Sequence, residues 1–102
     1  MKVYPVSSFN TNHKCNCTKR VIRGYLKDGS TALIEMNVDK NFRIHNLELF
    51  QLKKGKVLDR TYLNKEKASN EDVVMSFFEQ LQEKAADGVS FIGEFTRVMI
   101  GK

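Results

Sequence analysis

Three side chains near the start of the chain, His13, Cys15 and Cys17, alternate in the way a metal-binding strand would. In an extended segment residues two apart point the same way, and thiolates with an imidazole suit zinc. A structural zinc takes four ligands. The other histidine, His45, is far along the chain, and the Cys-x-x-Cys spacing of most zinc sites is absent. The simpler reading is two reduced thiols in a loop or an early strand, with no metal and no cofactor. Catalysis has little to draw on. No nucleophile stands beside a base, the acids are scattered, and no glycine-rich phosphate loop follows a strand. The sequence therefore predicts a non-enzymatic protein.

The basic residues are the better source of chemistry. The chain has 102 residues and a net charge of +5, unevenly spread. Residues 1–68 hold 14 basic and 6 acidic side chains, a balance of +8. Residues 69–88 hold 1 basic and 5 acidic, a balance of −4, and residues 89–102 come to +1. Such a molecule has one positive side, which suits an acidic partner, and nucleic acid is the commonest. Lys19, Arg23, Tyr25 and Lys27 fall on one face of a predicted hairpin. Arg43 lies in the adjoining strand, and Lys53, Lys54 and Lys56 cluster in the next turn. A sheet carrying Arg, Lys and Tyr can track a phosphate backbone and stack a base. Arg23, Tyr25, Lys27, Arg43, Lys53 and Lys54 are the predicted contacts to DNA or RNA. The plainer alternative is a solvated sheet face whose charges keep it soluble. Val21 and Leu33, apolar and expected outside on the same face, point to a homodimer surface.

The elements that must position these residues follow from hydrophobic spacing. A single domain is expected over residues 1–102, with residues 1–19 partly irregular or an edge strand broken at Pro5. Arg20 to Leu26 and Thr31 to Val38 read as a hairpin. A three-residue loop, Lys27-Asp28-Gly29, sets Gly24 opposite Ala32 and Ile22 opposite Ile34, and so gathers the apolar residues on one face. Phe42 to Leu52 is a third strand whose alternation slips near His45 and Asn46. It is either bulged there or buried on both faces. Val57 to Leu63 is the fourth strand. A three-residue loop ending at Gly55 pairs Phe50 with Leu58 and Glu48 with Arg60.

Ser69 to Gly88 reads as the single long helix. Ser69 and Asp72 form a capping box, Val74, Phe77, Phe78, Leu81 and Ala85 share one face, and Gly88 ends it. Ser90 to Ile100 reads as a final strand. The predicted class is α+β, a mainly antiparallel sheet of four strands, then one helix packed on one face, then a last strand. Met1-Lys2-Val3-Tyr4-Pro5 lacks the apolar core of a signal peptide. No apolar run approaches the roughly 20 residues that span a bilayer. A cytoplasmic protein with no membrane partner is expected, and the Asn16-Cys17-Thr18 glycosylation pattern then has no use.

The stretch Ala32-Leu-Ile-Glu-Met-Asn-Val-Asp39-Lys-Asn-Phe42-Arg-Ile44-His45-Asn46-Leu47 resembles the core of the stage V sporulation protein G family, the septation regulators of Gram-positive bacteria. A strand ends in an aspartate. A short turn, an aromatic and an aliphatic strand follow, and then a glycine-containing turn like that of Lys53 to Leu58. The resemblance covers residues 32–58. It implies a bacterial, dimeric, nucleic-acid-binding regulator. The family's Met-Pro-containing stretch after the second hairpin has no counterpart near Leu58 to Leu63, so no binding residue transfers one by one. Two functions stand out: a nucleic-acid-binding protein using a basic sheet face, and a protein-interaction module that dimerises or docks through its sheet.

Overall fold

The computed structural model describes residues 16–100. Among them are four strands, β1 (Thr18–Tyr25), β2 (Thr31–Val38), β3 (Ile44–Lys53) and β4 (Lys56–Leu63). They form one antiparallel sheet in the order β1-β2-β3-β4. Three helices follow, α1 (Lys65–Ala68), α2 (Glu71–Glu83) and α3 (Phe91–Ile100). The α+β class and the four-stranded antiparallel sheet stand. The single helix does not, and the expected last strand is absent.

The first hairpin has the register its apolar pattern demands. Ile22 lies opposite Ile34 and Gly24 opposite Ala32. Leu26 N–H donates to Ser30 O at 2.9 Å, which closes a three-residue loop with Gly29 at φ +88°, a conformation glycine adopts freely. β3 carries its irregularity at the expected place. Asn37 pairs with Asn46 but Val38 pairs with Ile44, so His45 is the extra residue of a bulge. The strand is also buried on both faces, with Ile44, Asn46, Leu47, Glu48 and Phe50 all inside.

The second hairpin departs from the expected register. Lys53 pairs with Lys56, so the loop is Lys54-Gly55, with φ +52° and +79°. Two positive φ values in a two-residue loop match the twist of the flanking strands better than a longer loop does. A shift between Gln51 and Leu52 then sets Phe50 opposite Arg60 and Glu48 opposite Tyr62. Arg60 still reaches Glu48, on the diagonal.

The expected long helix is shorter, and a separate four-residue helix, α1, precedes it. Ser69 closes α1, its hydroxyl donating to Glu66 O. The cap of α2 is Asn70, whose Oδ1 accepts from Asp72 N–H at 3.0 Å and Val73 N–H at 3.3 Å. α2 stops at Glu83 because the chain beyond it turns to the sheet. Lys27 N–H donates to Lys84 O, and Ala86 N–H to Tyr25 O, both at 2.9 Å. These bonds leave Ala85 bridged to Leu26.

Residues 91–100 are helical although their types favour a strand. Phe91, Phe95 and Val98, with Ile92 and Met99 beside them, repeat at three and four and pack on the core. The packing of that stripe outweighs the strand preference of Phe, Ile, Val and Thr. All three helices lie on one face of the sheet. Ile22, Ile34, Met36 and Leu47 meet Val74, Phe78, Leu81 and Phe91 there. Phe78 and Phe95 stack with ring centroids 4.4 Å apart.

Candidate nucleic-acid interface

The register places every strand residue of the other, outer face in a row. One row runs Tyr25, Thr31, Leu52, Val57, and the next Arg23, Leu33, Phe50, Arg60. The third runs Val21, Glu35, Glu48, Tyr62, and the last Lys19, Asn37, Asn46. The middle of this face is not a basic surface. Glu35 and Glu48 are buried opposite each other. Lys19 Nζ stands 3.2 Å from Glu35, and Arg60 Nε donates to Glu48 at 2.8 Å. The Arg60 guanidinium also lies over the Phe50 ring, 5.4 Å from its centroid. Burial raises the Tyr62 phenol above its usual value, and the nearby Glu48 carboxylate adds to the rise. Leu33, expected outside, is 2% exposed and packs on Phe50. Val21 alone of that pair is open to solvent.

The cations gather instead at one end of the sheet. In a meander the β1–β2 and β3–β4 turns share an end, which brings Lys27 together with Lys53, Lys54 and Lys56. Asp28 ties the two turns. Its Oδ1 accepts from Ser30 N–H at 2.9 Å and its Oδ2 from Gln51 Nε2 at 3.3 Å, and its backbone O accepts from Lys53 Nζ at 3.2 Å. The hydrogen bonds from Ser30, with the Lys53 charge adding to them, hold the Asp28 carboxyl below its usual range. Tyr25, 60% exposed, and Arg23 stand in the rows next to these turns. Lys84 arrives from the end of α2 through its bond with Lys27. An exposed phenol on β1, with Arg23, Lys27, Lys53, Lys54 and Lys56 spread along the same end of the sheet, offers one ring for a base and several charges for phosphates.

Five of the six predicted contacts therefore share this end, and Arg43 does not. It follows the β2–β3 turn at the opposite end, roughly 25 Å away by strand length. There Asp39 organises the turn. Its N–H donates to Arg43 O, and its Oδ1 accepts from Asn41 N–H and Arg43 N–H. Its Oδ2 lies 2.8 Å from His45 Nε2. The His45 hydrogen bond, then those from the backbone, lower the Asp39 carboxyl. Arg43 instead borders an open groove of about 900 Å³ with Phe42, Val74, Met75, Phe95 and Met99. Two further cations lie at this end, Lys56 and Lys84. The sequence groups Lys56 with Lys53 and Lys54, though outside the six. Lys84 needs the fold, because its place comes from backbone pairing alone.

No group of three metal-type ligands comes together among the described residues. His13 and Cys15 lie outside them. Cys17 is disulfide-bonded, so its sulfur is neither the reduced thiol nor the thiolate that the sequence suggested. Among the described residues no helix is long and apolar enough to cross a membrane. Comparison with protein-family models, curated proteins and solved structures found no match.

Proposed function

We propose that this is a small non-enzymatic protein that binds single-stranded nucleic acid at the basic end of its sheet. The observation that carries this reading is the meeting of Arg23, Tyr25, Lys27, Lys53, Lys54 and Lys56 around two adjacent turns. Five cations and one exposed aromatic ring along one end of the sheet suit a phosphate backbone and a stacked base. The resemblance to the stage V sporulation protein G family points to the same class of partner, and to a dimer.

The test is a titration of short single-stranded DNA and RNA, followed by anisotropy at about 50 and 200 mM salt. Affinity should fall steeply with salt. Arg23→Glu combined with Lys54→Glu should weaken binding at least about tenfold and flatten the salt slope by about 1.4, the value for two lost phosphate contacts on a single strand. Arg43→Glu should leave affinity within about twofold, because it sits at the other end. Binding that is absent, or indifferent to salt, would end the reading.

A second reading has its own observation. Among the described strands β4 is at an edge of the sheet, and Val57, Leu58 and Tyr62 on it are exposed. Edge apolar residues of this kind suit pairing with a second chain. Sedimentation showing a monomer across a wide concentration range would count against it.

A further inference from the structure

Phe42 holds a backbone conformation that bulky side chains avoid. Its φ is +64°, in the left-handed region. Its N–H donates to Asp39 O at 2.9 Å, which closes the turn between β2 and β3. Short hairpin loops often pass through this region, and glycine takes the place with little strain. Burial of the ring could offset the strain, but Phe42 is 52% exposed. The Asp39 carboxylate fixes the residues on either side. Its Oδ1 accepts from Asn41 N–H at 2.9 Å and from Arg43 N–H at 3.0 Å. Strain that surrounding bonds maintain, and that the core does not use, is typical of ligand clamps.

The Phe42 residue borders the open groove of about 900 Å³, which is within the size range of small-molecule sites. Ile44 and Val74 line it and are buried. Met75 from α2, with Phe95 and Met99 from α3, adds an apolar lining that is half-buried. Phe95 and Met99 stand one turn apart on the same side of α3. The Phe95 ring is set by its stack on Phe78, whereas the two thioether chains are unbranched and adapt to what they touch. Arg43 follows Phe42 at the groove and is exposed. Its side chain makes no ion pair among the described residues. Glu71 also borders the groove, in the first turn of α2. Its charge opposes a dianion such as a phosphate more than it opposes a single carboxylate.

We propose that this groove binds an amphipathic monocarboxylate of the fatty-acid class. The acyl chain lies along Met75, Phe95 and Met99 beside the Phe42 ring. The carboxylate meets the Arg43 guanidinium, whose planar fork matches it. The site is at the opposite end of the sheet from Lys27 and Lys53, so it stands whether or not the basic end binds nucleic acid.

The test uses the full chain and decanoate, held below its micelle concentration and followed by calorimetry. One molecule should bind per chain. Decanol, with the same chain and no charge, should bind at least about tenfold more weakly. Arg43→Gln should remove that preference and leave decanol affinity within about twofold. Phe42→Gly should weaken both ligands several-fold without lowering the melting midpoint of the empty protein, because glycine relieves the strain. Absence of saturable binding, or no preference for the carboxylate, would overturn the proposal. A preference that survives in Arg43→Gln would overturn it too, by placing the carboxylate at the basic end. Unchanged decanoate affinity in Phe42→Gly would do the same, and a lowered midpoint would show that the ring serves the fold and not a ligand.

Discussion

Gly24 is where sheet and helix come closest. A Cβ there would stand 2.5 Å from Cε1 and Cζ of the Phe91 ring and 3.2 Å from Val89 Cγ1. Phe91 is fully enclosed, so its ring has no room to yield. Gly24→Ala should therefore destabilise the protein by about 1–3 kcal/mol and lower the melting midpoint by roughly 5–15 °C. Equal midpoints would show that α3 packs elsewhere. Two carboxylates at this scale tie stability to pH. Asp28 and Asp39 both have lowered values in the fold. The unfolded chain therefore takes up protons on them first, and their contribution is complete above the ordinary carboxylate value of about 4. It is lost as the pH falls through the lowered folded values. Thermal midpoints should hold from about pH 6 to 5 and decline below about 4, less so in Asp39→Asn. An Asp39→Asn curve that overlays the parent would remove the turn from this account.

Gln82 shows how one side chain decides where an element begins. From α2 it donates to Val89 O at 2.8 Å and accepts from Phe91 N–H at 2.7 Å and Ile92 N–H at 3.3 Å. It thus serves two of the free amides at the start of α3. Gln82→Ala should cost about 1–3 kcal/mol and speed amide exchange in α3 while α2 is spared. Gln82→Glu keeps the acceptor, adds charge at the favourable helix end, and should recover part of the loss. Loss of protection in both helices alike would show that Gln82 acts by general packing. The contrast between α2 and α3 also explains what was legible beforehand. Val74, Phe78 and Leu81 repeat over several turns among strong helix formers, so α2 is plain from its period. The Phe91–Ile100 segment has the same period, but Gly93 and its aromatic and branched residues mimic a strand. The one local sign against a strand is Ser90, whose Oγ accepts from Gly93 N–H at 3.1 Å as a cap does. The first hairpin was legible because a slip of one residue would expose Ile22 and Ile34. The second was not, because Leu58 and Arg60 are exposed in any register and leave the choice to the turn.

At the scale of the whole molecule, the charge map and the fold agree. Residues 1–68, with a balance of +8, include the whole sheet, and the acidic stretch of residues 69–88 contains α2. Reading those charges as a face was the natural step from sequence, since Arg23 and Tyr25 alternate along a strand. The structure makes the basic region an end, because the meander brings two turns together that are 25 residues apart in sequence at Asp28 and Lys53. Alternation along one strand cannot reveal that. The burial of Glu35, Glu48 and Phe50 was equally hidden, since an outer position looks the same in sequence whether or not something lies over it.

The meander's order along the chain also has a consequence for synthesis. Every strand joins its neighbour by a short turn, so the sheet can pair as soon as Leu63 has emerged from the ribosome, on the microsecond timescale of hairpins. Among the described residues its helix-side face, with Ile22, Ile34, Met36 and Leu47, is covered by residues that come later, the last of them Met99. At roughly 5–20 residues per second, the 35 or so residues between take about 2–7 s. For that interval a formed sheet waits on the ribosome with its greasiest side uncovered, a natural target for a chaperone.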